Sequence, residues 1–564
     1  MLNEQATGTV EEIGEQDHSV TSEYRIFGPP GTGKTTHIGR QIHRAVFRYD
    51  AESVLVTSFS RTAAAELAGR DLPISPSRIG TLHSFCYHAL GEPVVAESCV
   101  DEWNRENPRL ALTPVRKQGK LDGEDGTVAE DAVTAKDGDK MLQQLGQFRG
   151  LMIPQNGWPL VLCQFSEKWT RYKRARGLMD FTDLIDQCLH DVDVAPNAPK
   201  VIFADEAQDL NRMQLTLIRK WGERAQYFVL AGDDDQCIYS FAGASADAIL
   251  DPDIPDDHKI ILKQSFRVPR AVHQVADRLI HQVTRRQEKI YLARPAAGAV
   301  HRLSTGTYKS PEYFILKSAE EHLKQGKKVM FLAACSYMLQ PVVAALRKRG
   351  IPFHNPYRKS NGFWNPLRIG KKGTSASRVL ALLVNHPSFG EGQRPWTFGD
   401  LALWADCMAS QGILKSGAKE QLQQCDRLQA ATVGRLDEIF EAGALTSLME
   451  ASNGDYRTLL NWWRRLMTAD VRGRFQFPSD VAAAYGPRAL VDPPQVVVGT
   501  IHSVKGAQAD VVYLFPDLSQ AADAQYQRSG EPRDSVTRVF YVGATRARET
   551  LYICQRESLV AFSV

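Results

Sequence analysis

The stretch RIFGPPGTGKTTHI, residues 25–38, is the most informative part of the sequence about the fold. A strand-like run leads into residues 28–35, which fit the pattern G-x-x-x-x-G-K-[ST], and a helical pattern follows. The glycines let main-chain N–H groups curl around phosphate groups, and the N-terminus of the following helix adds partial positive charge. The sequence therefore predicts a nucleotide-binding α/β domain; a glycine-rich turn without a ligand is the alternative.

Each residue of this loop has an expected place. Lys34 is expected to reach the β- and γ-phosphates of a bound nucleotide, and Thr35 to ligate Mg²⁺. The residues expected to contact the nucleotide are Gly28, Pro29, Pro30, Gly31, Thr32, Gly33, Lys34, Thr35 and Thr36.

A second motif, VIFADEAQDL at residues 201–210, supplies two acids at the end of an apolar run. Asp205 is expected to hold Mg²⁺, directly or through water, and Glu206 to polarise the attacking water. A solvated acidic turn is the alternative. Together with the phosphate-binding loop, the pair indicates an enzyme that hydrolyses a nucleoside triphosphate.

Size and composition limit the remaining possibilities. The chain has 564 residues, and roughly 100–200 residues per domain predicts several domains. Its net charge is only +3, so any nucleic-acid surface must be local. Nine scattered cysteines without a CxxC pair indicate a reducing compartment. With a polar N-terminus and no apolar run of about 18 residues, we expect a cytoplasmic protein with no membrane partner.

Short runs that are almost continuously apolar predict strands buried on both faces of a sheet. Helical patterns separate many of these runs, which indicates parallel sheets covered by helices. The runs form two groups, one before about residue 280 and one after about residue 327. We therefore predict an α/β fold with two parallel-sheet domains. The runs are SVLVTSF, KVIFADE, YFVLAGD, KVMFLAAC, QVVVGTI, VVYLFP and TLYIC.

Two regions interrupt this alternation and are predicted to be mostly helical insertions, residues 91–179 and 373–490. The acidic stretch at residues 120–140 contains few large apolar residues and is predicted to be a mobile loop.

Eight further blocks, in order along the chain, resemble the UvrD/Rep-like branch of superfamily 1 DNA helicases. The resemblance runs from about Arg25 to about Cys554. The blocks are VLVTSFSRTAAAEL, IGTLHSFCYHAL, MDFTDLIDQCL, FADEAQDLNRMQ, LAGDDDQCIYSFAGA, LKQSFRVP, VVVGTIHSVKGAQADVVYLFP and RVFYVGATRARETLYI.

The resemblance implies two RecA-like domains, 1A and 2A, each with a largely helical insertion. Domain 1A would comprise residues 1–90 and 180–280, with insertion 1B at 91–179. Domain 2A would comprise residues 281–372 and 491–564, with insertion 2B at 373–490.

The block at residues 230–244 combines acids, an amide and rings. By the resemblance, the acids and Gln236 would face the nucleotide, with Gln236 sensing the γ-phosphate, while Tyr239 and Phe241 would touch DNA bases. Rings grip bases without reading sequence, since every base has a π-face; packing in the core is the alternative for both rings. The other residues expected to contact DNA are Phe59, Ser60, Thr81, His83, Thr500, His502 and Ser503.

Two arginines are implied to stabilise charge on the γ-phosphate, Arg267 and Arg546. Arg546 would come from domain 2A, so that nucleotide binding would draw the two domains together. Phe266 stands where the family usually has a tyrosine stacked on adenine. Gly506 and Gln508 are also expected near the nucleotide.

The chain departs from the family pattern at several positions. The loop reads GPPGTGKT, Thr36 and Ala242 stand where arginines are usual, and Gln508 replaces a usual glutamate. A glutamine segment that selects adenine should precede the loop, and LNEQ at Leu2 is a candidate.

The resemblance implies a monomeric, ATP- and Mg²⁺-dependent helicase that moves 3′ to 5′ on single-stranded DNA and acts at junctions with duplex DNA. Insertion 2B would contact any protein partners. Two alternatives stay open: a translocase that displaces bound proteins without unwinding, and a non-motor ATP-dependent switch. The biological pathway is also open, among repair, replication, phage biology and defence.

Overall fold

The computed structural model describes residues 22–115, 136–358, 362–370 and 373–564. The chain divides into two compact units: unit 1 is Met1–Phe266 with Arg285–Leu292, and unit 2 is Arg267–Thr284 with Ala293–Val564. The candidate segment at Leu2 and most of the predicted acidic loop fall outside the described residues. The end of that stretch, predicted as loop, instead begins a helix at Asp137.

Unit 1 is built on a six-stranded sheet in which every pair of neighbours is parallel. The strand order is β3-β2-β4-β5-β1-β6. Strands β2 and β4 are buried along their whole length, as their apolar runs predict. The strands are β1 Ser22–Phe27, β2 Val54–Ser58, β3 Ile79–Thr81, β4 Val201–Asp205, β5 Tyr227–Gly232 and β6 Lys259–Ile261. Two further strands, β7 Gln264–Pro269 and β8 Leu292–Arg294, form a separate two-stranded sheet.

Helices cover this sheet and also make up the region predicted to be the first insertion. Helix α1 buries Ile38, Ile42 and Ala45, a spacing that places them on one face. Between residues 91 and 179 the described residues form helices and no strand. The helices are α1 Lys34–Arg48, α2 Arg61–Ala68, α3 Leu82–Ala89, α4 Asp101–Glu106, α5 Asp137–Gly150, α6 Leu160–Arg176, α7 Phe181–Asp191, α8 Arg212–Gly222 and α9 Ala246–Leu250.

Unit 2 contains a second six-stranded parallel sheet, with strand order β11-β12-β10-β13-β14-β9. Strand β10 is buried throughout. The strands are β9 Ala299–Arg302, β10 Val329–Ala333, β11 Phe353–His354, β12 Val496–Thr500, β13 Ala509–Leu514 and β14 Ala547–Ile553. The α/β fold predicted from the sequence is therefore confirmed.

The described residues between 373 and 490 form helices, and tryptophans contribute to the hydrophobic core of unit 2. Trp404 and Trp463 are fully buried, and the indole of Trp463 donates to the Trp404 carbonyl at 2.9 Å. The helices of unit 2 are α10 Arg270–Ile280, α11 Ile315–Lys324, α12 Gln340–Lys348, α13 Ser375–Leu383, α14 Phe398–Ala405, α15 Ala418–Gln424, α16 Val433–Leu436, α17 Ala442–Asn453, α18 Tyr456–Arg465, α19 Ala469–Arg472, α20 Gln476–Tyr485, α21 Gln520–Tyr526 and α22 Glu531–Ala544.

No helix among the described residues combines the length and apolar character needed to cross a membrane. The division into six segments, with its boundaries at residues 90, 179, 280, 372 and 490, stays a prediction.

Candidate active site

The parallel sheet of unit 1 brings most of the predicted site residues to one edge. Strand β1 ends at Phe27 and the phosphate-binding loop follows, while β4 ends at Asp205 and β5 ends at Gly232. Because all the strands run in one direction, their carboxyl ends meet at the same edge, where open α/β sheets bind ligands.

The loop between β1 and α1 has the local structure of an anion site. Gly31 and Gly33 both have positive φ angles, of 77° and 78°, which side chains with a Cβ rarely adopt. Gly33 is the N-cap of α1, and no side chain caps this helix. The N–H groups of the first helical turn therefore point towards a free end that suits phosphate oxygens.

Contacts to neighbouring segments hold the outer part of the loop. The hydroxyl groups of Ser265 and Tyr291 donate to the Pro30 carbonyl at 2.9 and 2.8 Å. The Phe266 N–H donates to the Gly31 carbonyl at 2.8 Å. The Phe266 ring is 73% exposed, and one of its edge carbons lies 4.0 Å from the position of a Cβ built on Gly33. An exposed ring beside a phosphate-binding loop is suitably placed to stack on a nucleotide base.

Lys34 pairs with both predicted acids. Its Nζ lies 2.7 Å from Glu206 Oε1 and 3.8 Å from Asp205 Oδ1. Burial by itself lowers the pKa of Lys34, but the carboxylates of Glu206 and Asp205 outweigh burial and raise that pKa above its usual range. Lys34 is thus a buried permanent cation next to two carboxylates.

Glu206 has an unusual main-chain conformation for a residue with a side chain. Its φ is 53°, in the left-handed region, where residues other than glycine carry strain of about 1–3 kcal/mol. Its N–H donates to Asp205 Oδ1 at 2.9 Å. Strain of this kind is typical of functional positions and turns the Glu206 side chain towards Lys34.

Gln208 is a positioning residue that the sequence analysis missed. It is fully buried, its Nε2 donates to Glu206 Oε2 at 2.6 Å, and its Oε1 accepts the Asp233 N–H at 3.0 Å. One amide therefore links the predicted catalytic acid to the end of β5. It lies within the quoted stretch VIFADEAQDL, but only the fold shows that it reaches β5.

The acids at residues 233–235 have a different role from the one expected. Lys289, whose side chain is 0% exposed, pairs with all three, and its Nζ lies 3.0 Å from Asp233 Oδ1 and 2.9 Å from Asp235 Oδ2. Arg286 holds Asp235 through two contacts of 2.9 and 2.6 Å. The expectation that these acids face the nucleotide is wrong for Asp234 and Asp235, because Lys289 pairs with both carboxylates and Arg286 pairs with that of Asp235.

The ion cluster formed by Asp233, Asp234, Asp235, Arg286 and Lys289 contains three carboxylates and two cations. Burial raises the pKa of Asp234 to about 6, although Lys289 opposes this shift. Burial also disfavours the charge of Asp235, yet Lys289 and Arg286 together lower the pKa of Asp235 below its usual range. Asp233 connects the cluster to the predicted γ-phosphate sensor, because Gln236 Nε2 donates to Asp233 Oδ2 at 2.8 Å.

Three rings predicted to touch DNA lie together at the same edge of the sheet. The ring centroids of Phe59 and Tyr239 are 5.2 Å apart, and those of Tyr239 and Phe241 are 5.9 Å apart. All three rings are half-buried, so they lie neither fully in the core nor fully on the surface. His83 lies with its ring edge-on to Phe181, at 6.2 Å between centroids.

Two predicted DNA contacts in unit 1 also cap helices. Ser60 Oγ accepts the Ala63 N–H, and Thr81 Oγ1 accepts the Ser84 N–H, both at 3.2 Å. A hydroxyl group that accepts a capping bond keeps its own O–H for donation. Both hydroxyls can therefore stabilise a helix and donate to a phosphate oxygen.

Unit 2 carries the remaining predicted residues in two groups. Arg267 Nε donates to Gln508 Oε1 at 2.9 Å. Arg546 is 1% exposed, and its guanidinium donates to the carbonyls of Val542 and Ala507 at 2.9 and 3.3 Å. Gly506 has a φ of 86° in the exposed turn before Gln508.

The second group in unit 2 lies at the end of β12. Thr500 is buried and its Oγ1 accepts the Ser503 N–H at 3.2 Å. Asn355, which the sequence analysis missed, donates to Ser503 Oγ at 3.2 Å and to the Val498 carbonyl at 3.1 Å. No motif marks Asn355, because its partners lie far away along the chain. His502 is half-buried in the same turn.

The donor groups beside Lys34 fit a magnesium ion. Thr35 and Asp205 offer hard oxygen ligands, which Mg²⁺ prefers. Among the described residues, no group of three or more His, Cys, Asp and Glu side chains is arranged to hold a metal by itself.

Comparison with known proteins agrees with these motifs. Residues 11–254 match the model of the UvrD/REP helicase N-terminal domain, and residues 486–558 match that of the UvrD-like helicase C-terminal domain. Together the two models cover more than half of the chain. The chain belongs to the UvrD/Rep-like helicase family.

Two relatives in this family have low sequence identity to this chain. The ATP-dependent DNA helicase PcrA of Staphylococcus aureus (strain Mu50 / ATCC 700699) is 22% identical over 443 residues, covering 68% of this chain and 60% of that protein. PcrA of Staphylococcus epidermidis (strain ATCC 12228 / FDA PCI 1200) is 21% identical over 618 residues, covering 95% of this chain and 82% of that protein. The match thus spans about 60% of the length of the S. aureus relative.

The buried cluster around Lys289 makes a testable contribution to stability. Replacement of Lys289 by Met leaves buried carboxylates without their cation, which typically costs about 3–5 kcal/mol. We expect a loss of hydrogen-exchange protection in peptides covering residues 227–237 and 285–292, measured by mass spectrometry.

Lys140→Met is the matched control, because Lys140 forms an exposed ion pair with Asp137. Exposed pairs of this kind contribute little, and protection should stay unchanged. Unaltered exchange in Lys289→Met would contradict a stabilising role for the cluster.

Proposed function

We propose that this chain is an ATP-dependent DNA helicase that moves 3′ to 5′ on single-stranded DNA and couples ATP hydrolysis to duplex unwinding. The observation that carries the proposal is the arrangement at one edge of the unit 1 sheet. At the phosphate-binding loop, Lys34 Nζ lies 2.7 Å from Glu206 Oε1 and 3.8 Å from Asp205 Oδ1. The rings of Phe59, Tyr239 and Phe241 lie at the same edge.

Hydrolysis would use the residues around the loop in separate roles. Lys34 and the N–H groups at the start of α1 bind phosphate oxygens. Glu206, held by Gln208, accepts a proton from the attacking water. Magnesium held by Thr35 and Asp205 would neutralise charge on the phosphates. Gln236, Arg267 and Arg546 are proposed to respond to the γ-phosphate.

The pairing of Lys34 with Glu206 indicates that nucleotide binding would come first and the release of Glu206 from Lys34 would follow. In the structure Glu206 Oε1 accepts a hydrogen bond from Lys34. Phosphate oxygens would compete for the same ammonium group, since they carry more negative charge. Nucleotide binding would then release Glu206 from Lys34 and leave Gln208 as its support, with the carboxylate free to receive a proton.

DNA binding would rely on stacking of bases on aromatic rings and on contacts to the phosphates of DNA, and it would not depend on base identity. Stacking on aromatic rings contributes about 1–3 kcal/mol per base. The hydroxyls of Ser60, Thr81 and Ser503 are proposed to contact phosphates, as are Thr500, His502 and His83. The names of the PcrA relatives, ATP-dependent DNA helicases, support the choice of ATP and DNA.

The catalytic role of Glu206 is tested by Glu206→Gln. The amide keeps the size of the side chain but cannot take a proton, so DNA-stimulated ATP turnover should fall about 10²- to 10⁴-fold while ATP binding persists. Steady-state phosphate release and equilibrium binding of a fluorescent ATP analogue measure the two quantities. Glu92→Gln, at an exposed site, is the control, and near-normal turnover in Glu206→Gln would refute the assignment.

The proposed stacking of Phe266 on adenine is tested by Phe266→Ala. Loss of one ring–base contact of about 1–3 kcal/mol predicts an ATP Kd raised about 5- to 100-fold, measured by titration. Phe47→Ala removes a ring that is 95% exposed at the end of α1 and should leave the Kd unchanged. An unchanged Kd in Phe266→Ala would place the base elsewhere.

The direction of movement is tested with duplexes that carry a single-stranded tail at one end. We expect strand separation with a 3′ tail, none with a 5′ tail, and none for either when Glu206→Gln replaces the wild type. Displacement of streptavidin from a biotinylated strand without strand separation would instead indicate a translocase. Turnover without either activity would indicate a non-motor switch.

A further inference from the structure

Two hydroxyl groups from outside the phosphate-binding loop converge on one carbonyl of that loop. Ser265 lies in β7 and is fully buried, and Tyr291 lies directly before β8 and is half-buried. Both donate to the Pro30 carbonyl, at 2.9 and 2.8 Å. One hydrogen bond satisfies a buried carbonyl. Two donors from separate strands therefore also fix the direction in which this carbonyl points.

The two prolines of the loop limit the main-chain donors that it can offer. Pro29 and Pro30 have no N–H, so Gly31 carries the first N–H after Gly28. The next N–H, that of Thr32, is used inside the loop and donates to the Pro29 carbonyl at 3.2 Å. Within the described ranges, no protein acceptor takes the Gly31 N–H. This N–H is therefore left for a phosphate oxygen.

The Pro30 carbonyl and the Gly31 N–H belong to one peptide group, which is trans. A trans peptide is planar, and its C=O and N–H point in opposite directions. The hydroxyls that hold the carbonyl towards β7 and β8 consequently hold the N–H towards the opposite side. The Phe266 N–H fixes the following peptide group in the same way, because it donates to the Gly31 carbonyl at 2.8 Å.

Contacts that do not involve the loop fix the segment that presents these hydroxyls. Lys289 lies two residues before Tyr291, and its buried Nζ pairs with Asp233 at 3.0 Å. Strands β7 and β8 form a sheet with each other, and just outside it the Leu292 N–H donates to the Lys263 carbonyl at 2.8 Å. The loop is therefore held against a rigid support.

We propose that Tyr291 and Ser265 are positioning residues for phosphate binding: they hold the Pro30 carbonyl outside the loop and thereby turn the Gly31 N–H towards a phosphate oxygen. The inference deepens the proposed function and rests on it, because it requires a nucleotide in the loop. It assigns a role to two side chains that lie outside the G-x-x-x-x-G-K-[ST] pattern.

The test is the double variant Tyr291→Phe/Ser265→Ala, which removes two oxygen atoms and keeps the ring and the Cβ. The ATP Kd and the inhibition constant of magnesium pyrophosphate, which competes for the loop without a base, should rise by the same factor, about twofold to tenfold. Titration of a fluorescent ATP analogue and its displacement by pyrophosphate measure them. At saturating ATP and DNA, kcat should stay close to the wild-type value, because neither hydroxyl contacts the attacking water.

A matched control removes the same atoms from bonds of the same kind elsewhere in unit 1. The Tyr172 hydroxyl donates to the Cys99 carbonyl, and the Ser98 hydroxyl donates to the Val95 carbonyl. Tyr172→Phe/Ser98→Ala should leave both constants unchanged.

A second comparison separates the loop from the base. Phe266→Ala keeps the main-chain N–H that contacts Gly31, so it should raise the ATP Kd and leave the pyrophosphate constant unchanged. Thermal unfolding monitors the fold of every variant. If the double variant is unfolded at the assay temperature, Tyr291→Phe alone, which removes one atom, should raise both constants by a smaller common factor.

The outcomes separate this inference from the proposed function. Wild-type protein that binds neither ATP nor pyrophosphate would refute the proposed function itself. Wild-type binding with both constants unaltered in the folded variants would overturn only the positioning role. A rise in the ATP Kd alone would also overturn it, because the hydroxyls would then act on the base site. A fall in kcat with unaltered constants would place their effect on the chemical step and overturn it as well.

Discussion

The parallel hydrogen bonding of β1, β5 and β4 is the constraint on which the site in unit 1 depends. The register pairs Phe27 with Gly232 and Ala204 with Leu230. The phosphate-binding loop, the acids of β4 and the segment after β5 consequently begin at the same level of the sheet. A direct bond completes this arrangement, since the Gly28 N–H donates to the Gly232 carbonyl at 2.9 Å.

Close packing at this edge explains why two positions are glycine. A Cβ on Gly28 would lie 2.9 Å from the Cβ of Lys34, and one on Gly232 would lie 2.3 Å from Gln208 Oε1. Neither side chain could move away without losing its contacts to Glu206. Glycine at both positions therefore allows the Lys34 ammonium group and the Gln208 amide to contact the Glu206 carboxylate from two sides.

Electrostatics divides the acids of this edge into two sets. Asp205 and Glu206 face Lys34, a cation that phosphate oxygens can reach through the loop. Asp234 and Asp235 are bound by Lys289 and Arg286, and stabilise the return segment of unit 1. Asp233 joins the sets, because its carboxylate contacts Lys289 and its N–H donates to Gln208, which in turn donates to Glu206. Asp233 also accepts a hydrogen bond from Gln236. The position of the predicted phosphate sensor thus depends on a structural ion cluster.

The α/β class, the phosphate-binding loop, the acids at the end of β4 and the family could all be predicted from the sequence. Those features are local: apolar runs predict buried strands, and a fixed spacing of glycines and lysine predicts an anion site. Only the tertiary structure decided what Gln208, Asn355 and Lys289 do, since each acts on residues brought near by the fold. The same holds for the acids at 233–235. The sequence is identical whether an aspartate lies beside a nucleotide or is neutralised by a buried lysine, so it cannot distinguish the two roles. The convergence of Ser265 and Tyr291 on the Pro30 carbonyl likewise exists only because the fold brings together segments that are separated along the chain.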